Sequence, residues 1–289
     1  MLGSGRINAR SAGTTTDMLE NSFLQALLLG IVEGATEFLP VSSTGHLVVA
    51  GDFLGFSSVP GEVFETSIQI GAILAICTLY RERLNTVVRG SFSGDPSAHN
   101  FVKAIVVATL PMIVLGAIFY DFIVGVLFSP YVVSAAFILG GIAIIMVERL
   151  KIEDRIASIE AITFGTAMKI GAFQCLALVP GMSRAGATIL GSLVVGVERK
   201  TAAEFSFFLA IPVIIGATVL DLWGNRDLVD GTHLPVLATG FVAAFFSALV
   251  VVRWFVGFVS RHGFSMFGWY RIVFGSLLLV YYLTRSSAG

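Results

Sequence analysis

Six runs of mostly apolar residues are long enough to cross a bilayer as helices, at 63–80, 101–120, 131–147, 203–220, 234–252 and 266–283. A spanning helix needs about 20 such residues. Four further apolar stretches, 22–38, 41–54, 161–179 and 186–197, are shorter or interrupted, and they form two pairs. The first pair is broken at Leu39-Pro40 and the second at Val179-Pro180-Gly181. Proline stops a helix by removing a donor and clashing with the preceding turn. Non-helical backbone at membrane depth survives only where protein or a water-filled cavity covers it. Each pair is therefore predicted as a re-entrant hairpin rather than two full spans with a surface tip. The stretches lack period-2 alternation, which excludes a β-barrel. The expected fold is an all-α polytopic membrane protein with six transmembrane helices and two re-entrant helical hairpins.

Charge orients these elements. Lys and Arg concentrate in loops 81–103 (Arg81, Arg83, Arg89, Lys103), 148–169 (Arg149, Lys151, Arg155, Lys169), 198–202 (Arg199, Lys200) and 253–265 (Arg253, Arg261). The intervening loops 51–62 and 121–130 carry none, and 221–233 carries Arg226. The positive-inside rule makes the rich loops cytoplasmic. Tracing the chain then gives each half one hairpin plus three spans, with the second half turned over relative to the first. That is an inverted-topology repeat, the kind of fold that places sites near the midplane where the repeats meet. The first repeat is expected over about 21–150 and the second over about 160–285, within one membrane domain (21–289) behind a flexible polar leader (1–20). Short internal matches agree with this division: Pro40-x-x-Ser43 recurs as Pro180-x-x-Ser183, and Glu65-x-Ser67 as Glu204-x-Ser206.

Composition narrows the class. Of 289 residues, 56% are hydrophobic and 13% charged, with mean hydropathy +0.89. A soluble domain carries about 25% charged residues, so this chain could not cover a water-facing surface. The net charge of −1 leaves no basic field for nucleic acid. Cys77 and Cys175 lie far apart in apolar runs, which rules out a disulfide framework or a thiolate metal cluster.

With so few charges, those at the two breaks carry weight. The first tip reads Glu33-Gly-Ala-Thr-Glu37-Phe-Leu-Pro40-Val-Ser42-Ser43-Thr44-Gly-His46. Glu33 and Glu37 are four apart, so a helix puts both carboxylates on one face. At membrane depth such charges are expensive and need a cation, a proton or an arginine. Ser43 and His46, a hydroxyl and an imidazole three residues apart at a helix start, suit nucleophilic or acid–base work. The second tip reads Pro180-Gly-Met-Ser183-Arg184-Ala-Gly-Ala-Thr188. The guanidinium fork of Arg184 suits a phosphate. Ser42, Thr44, Ser183, Thr188 and free N–H groups at the helix starts would complete an anion cradle. The bland alternative is a structural ion-pair network with satisfied core hydroxyls and histidine. Clustering of all these groups at two helix breaks favours chemistry. Glu65, Gln69 and Glu204 are candidates for supporting or metal-binding roles. Arg271, in Trp269-Tyr270-Arg271, reads as an interfacial anchor.

These residues suggest phosphoryl transfer on a lipid-linked phosphate, with positioning and charge neutralisation as the main catalytic effects. They also carry a resemblance. The first tip, the segment Phe173-Gln-Cys-Leu-Ala-Leu-Val-Pro180-Gly-Met-Ser183-Arg184, and Ala203-Glu204-Phe-Ser206-Phe207 are similar to the bacterial undecaprenyl-diphosphate phosphatases of the bacitracin-resistance type. The likeness runs from about Met18 onward. It implies hydrolysis of undecaprenyl diphosphate to undecaprenyl phosphate and phosphate, recycling the lipid carrier of cell-wall synthesis. It implies a multi-pass protein of the bacterial inner membrane whose site opens to the outer, periplasmic side, with bacitracin resistance when the protein is in excess. It also implies a divalent cation, Mg2+ or Ca2+, at Glu33 and Glu37, nucleophile or base roles for Ser43 and His46, and phosphate binding by Ser183 and Arg184. The family's usual Ser-Arg-Ser-Gly departs here at Ala185, an auxiliary hydroxyl lost. The choice between Ser43 and His46 as nucleophile stays open, as does a homodimer. The competing class is a transporter or flippase of a polyprenyl phosphate lipid, for which a nucleophile is superfluous.

Overall fold

The computed structural model describes residues 15–57, 59, 61–150, 152–224 and 231–286. Among these the chain is helical, and its only β-type pairing is an isolated bridge between Ile156 and Val197. The first hairpin is α1 (Thr15–Thr36) and α2 (Ser43–Leu54). Then come α3 (Gly61–Leu79), α4 (Arg81–Ser93), α5 (Pro96–Ile118), a one-turn α6 (Tyr120–Phe122) and α7 (Pro130–Arg149). The second hairpin is α8 (Phe164–Gln174), extended by a 3-10 turn at Cys175–Leu178, and α9 (Arg184–Val194). Last are α10 (Arg199–Gly224), α11 (Leu234–His262) and α12 (Ser265–Ser286).

Five of these helices, α5, α7, α10, α11 and α12, are long and apolar enough to cross a membrane. The sixth predicted span is α3, which bends by 77° into α4. By contrast α2, α8 and α9 have 12, 11 and 11 residues. At 1.5 Å per residue they reach at most about 18 Å, well short of a roughly 30 Å hydrocarbon core.

Three boundaries differ from the sequence expectation. Helix α1 already begins at Thr15, inside the stretch read as a flexible leader, and residues 1–14 of that leader lie outside the described residues. The basic loop 81–103 contains the helix α4, which its Arg and Asn content had concealed. The basic segment after 252 is also helical, because α11 runs on to His262.

Small residues set the crossings. Helix α1 packs most extensively on α11, α8 on α5, α7 on α12 and α3 on both α11 and α10. The hairpin arm of each half thus lies against the middle span of the other half. A Cβ on Gly30 or Gly34 would strike the carbonyl oxygens of Gly240 or Ala244. This is the close backbone approach that small residues four apart allow between membrane helices. Gly171 approaches Ala108 in the same way where α8 meets α5. Around the tips, Phe38, Phe207, Phe208, Phe255, Phe264 and Phe267 are buried in one aromatic core.

Candidate active site

Both hairpins turn on a strained serine. The residue before α2 is Ser42, with φ 71° and ψ 98°. The residue before α9 is Ser183, with φ 71° and ψ 119°. They are the only non-glycine residues with positive φ among those described. Holding a side-chain-bearing residue there costs about 1–3 kcal/mol, and such strain persists only where surrounding contacts impose it. The shared geometry corrects the internal match. Ser42, not Ser43, is the counterpart of Ser183, and Ser43 is the counterpart of Arg184. The first helical residues of α2 and α9 are thus the serine and the arginine.

They meet at Glu37. Ser43 Oγ donates to Glu37 Oε2 at 2.5 Å, and Arg184 Nη2 donates to Glu37 Oε1 at 2.9 Å. The side chains of Arg184 and Glu37 are each 9% exposed. Arg184 Nη1 also donates to the Ser206 carbonyl on α10 at 2.9 Å, which fixes the plane of the guanidinium. A polar cavity of about 200 Å³ opens over this trio, lined by Glu37, Ser42, Ser43, Thr44, Ser183 and Arg184, with Gln69 of α3 at its side. One water occupies roughly 30 Å³ in the liquid, so there is room for a phosphate group. Two helix N-termini point at this space, and their unpaired N–H groups favour an anion.

Other predicted residues stand elsewhere. The expected pairing of Ser43 with His46 is not formed. His46 Nδ1 lies 2.7 Å from the Ser42 carbonyl, and Nε2 lies 2.5 Å from Tyr270 Oη. A carbonyl only accepts, so Nδ1 carries a hydrogen and a neutral ring receives the tyrosine hydrogen at Nε2. The ring stacks on Phe274 and Tyr270 and does not line the cavity. His46 therefore props the strained Ser42. Thr188 was expected to bind phosphate, but it is fully buried. Its hydroxyl lies 2.7 Å from Ser206 Oγ and 2.9 Å from the Arg184 carbonyl, below the site rather than in it. Ser183 Oγ accepts from the Gly186 N–H at 3.0 Å, capping α9. Glu204 is not at the tips, since it faces Tyr80 Oη at 3.5 Å near the α3–α4 bend. Ala185 is buried in the core, so the departure from the family pattern removes nothing from the cavity wall.

Arg271 is the largest correction. It is no interfacial anchor: its exposure is 0%, because α12 packs against α7 and Gly140 leaves room for the guanidinium. The sequence placed neither Arg271 nor Ser206 at the site, although the Glu-x-Ser match had singled out Ser206.

Glu33 is fully buried, and neither of its carboxylate oxygens has a hydrogen-bond partner among the described residues. Glu37 and Glu65 add like-charge repulsion. An orphaned carboxylate of this kind calls for a cation or a proton. No cluster of three or more His, Cys, Asp or Glu close enough to hold a metal exists among the described residues. The donor set still fits Mg2+, which takes one or two carboxylates together with substrate phosphate oxygens and water.

Residues 26–277 match the family described as bacitracin resistance protein BacA. The chain belongs to the BacA family. A relative from Parvibaculum lavamentivorans, named undecaprenyl-diphosphatase, is 62% identical over 269 residues, covering 93% of this chain and 100% of its own. One of the same name from Cereibacter sphaeroides is 50% identical over 263 residues, covering 91% and 97%. Another, from Acinetobacter baumannii, is 47% identical over 257 residues, covering 89% and 94%. The BacA match spans both hairpin tips and all the helices that meet at the cavity.

Proposed function

We propose that this protein hydrolyses undecaprenyl diphosphate to undecaprenyl phosphate and phosphate, with Ser43 as nucleophile and Glu37 as its base. Membership of the BacA family and the shared name of its relatives support the substrate. The observation that carries the mechanism is the Ser43–Glu37–Arg184 chain of hydrogen bonds on a polar cavity between two helix N-termini.

Arg184 and the N–H groups of both tips grip the diphosphate. Ser43 Oγ attacks the terminal phosphorus, and the Oγ–P bond forms as the bridging P–O bond breaks. The serine proton passes to Glu37 Oε2 and on to the departing polyprenyl phosphate. A water then attacks the phosphoserine and gives its proton to Glu37. The P–Oγ bond breaks, phosphate leaves, and Glu37 returns the proton to Ser43. One water is consumed. The Arg184 charge stabilises the transferring group without moving a proton. Mg2+ or Ca2+, held by Glu33 and Glu37, would neutralise diphosphate charge.

The inverted repeat belongs to the same proposal. It is supported by the matching strained serines and by the reciprocal packing of each hairpin on the other half. With basic loops inside, the first hairpin enters from the outer face of the inner membrane, and the cavity is reached from the periplasmic side. Purified protein in detergent should release phosphate from undecaprenyl diphosphate without any gradient, and Arg184→Ala should release almost none. Absence of release by the parent protein, with lipid movement across vesicles instead, would overturn the enzyme reading in favour of a flippase.

A further inference from the structure

We infer that Arg271 is a positioning residue, a buried clamp that sets the register of the two hairpin tips and so aims the Ser183 N–H at the anion. This rests on the reading of the Ser43–Arg184 cavity as the site of hydrolysis. All the polar hydrogens Arg271 contributes go to backbone. Nη1 donates to the carbonyls of Pro40 at 3.1 Å and Met182 at 2.9 Å. Nη2 donates to those of Gly181 at 3.0 Å and Ala136 at 2.9 Å, and Nε to that of Phe137 at 3.3 Å. Pro40 and Gly181 each stand two positions before the strained serine of their own tip, so one side chain holds the equivalent peptide of both hairpins. No carboxylate pairs with Arg271 among the described residues. A trans peptide points its C=O and N–H in opposite directions. Pulling the Met182 carbonyl onto Arg271 therefore turns the Ser183 N–H away from it. That N–H has no acceptor among the described residues, and Ser183 lines the cavity. The guanidinium also leaves an uncompensated positive charge behind both tips, a fixed field favouring an anion in front of them. The Phe137 ring, 5.3 Å from the Arg271 carbon, and the absent side chain of Gly140 shape the slot that holds it.

The test compares Arg271→Lys, Arg271→Met and Gly140→Ala with the parent and with Arg184→Ala. Gly140→Ala keeps the charge but puts a methyl where the guanidinium lies. Steady-state turnover of undecaprenyl diphosphate, inhibition by inorganic diphosphate and amide hydrogen exchange are measured on folded, monodisperse protein. The expected result is a fall of at least tenfold in kcat/KM and a rise of at least fivefold in the inhibition constant of diphosphate. Exchange should accelerate at 39–44 and 180–186 but not in α10. Simple loss of folded molecules lowers kcat alone and leaves the inhibition constant at its parent value, and that outcome overturns the clamp. So does uniform acceleration of exchange. Should Arg271→Met fail to fold, Gly140→Ala and Arg271→Lys decide. If Arg184→Ala keeps parent activity, the cavity reading itself is wrong. If Arg184→Ala is inactive while the Arg271 variants stay within twofold of the parent, only the clamp falls.

Discussion

Replacing Glu37 by glutamine separates chemistry from architecture at the site. The amide keeps the shape of the carboxylate and retains one oxygen to accept from Arg184, but it cannot take the Ser43 proton held at 2.5 Å in the parent. Loss of a positioned general base lowers rate by about 10²–10⁴-fold, which is roughly 3–5 kcal/mol of barrier. Stability should suffer less than in Arg184→Ala. Arg184 and Glu37 are each 9% exposed, and removing one partner of a buried pair leaves the other charge uncompensated at about 3–5 kcal/mol. Glu37→Gln leaves Arg184 with a neutral acceptor and with the Ser206 carbonyl. The assay is phosphate release from undecaprenyl diphosphate in detergent, beside thermal unfolding of both variants. Glu37→Gln should lose at least a hundredfold in kcat while unfolding at a higher temperature than Arg184→Ala. Activity within tenfold of the parent would refute the assignment of Glu37 as the base for Ser43.

Three further outcomes follow from the same geometry. Tyr270→Phe removes a hydrogen bond to His46 of about 0.5–1.5 kcal/mol, so kcat/KM should fall roughly twofold to tenfold, and a greater than hundredfold loss would mean the hydroxyl acts on substrate. Gly34→Leu forces a side chain into the Ala244–Ala248 backbone of α11; overpacking costs about 1–3 kcal/mol, which should lower the apparent melting temperature by several degrees, and an unchanged melting curve would deny that this crossing is tight. Chelation of divalent cations should reduce phosphate release, with Mg2+ restoring it in the parent but not in Glu33→Gln; activity indifferent to chelator would remove the cation from Glu33 and Glu37.

The elements were legible where a single physical rule governed them. Six apolar runs and two proline breaks marked six helices and two hairpins, because hydrocarbon thickness and the missing proline donor leave little choice. Glu37, Ser43 and Arg184 stood out because charge and hydroxyls at membrane depth are expensive. What escaped depended on contacts between distant segments. The match of Pro40 with Pro180 suggested the wrong register, since backbone φ at Ser42 and Ser183, not proline position, makes the tips equivalent. The three-residue spacing of Ser43 and His46 suggested a pair, but Glu37 captures the hydroxyl and Tyr270 the imidazole. Arg271 beside Trp269 and Tyr270 looked like part of an aromatic belt, and only the glycine-lined α7–α12 packing buries it. Helix α4 was hidden because its Arg and Asn content is that of a loop and it is too polar to span.

The nucleophile is the most direct test. Undecaprenyl diphosphate carrying labelled terminal phosphate is mixed with the protein, turnover is quenched with denaturant within milliseconds, and the label is mapped by peptide sequencing. Label is expected on Ser43, absent in Ser43→Ala and reduced in Glu37→Gln. Label on His46, or rapid hydrolysis by Ser43→Ala at the parent rate, would contradict it.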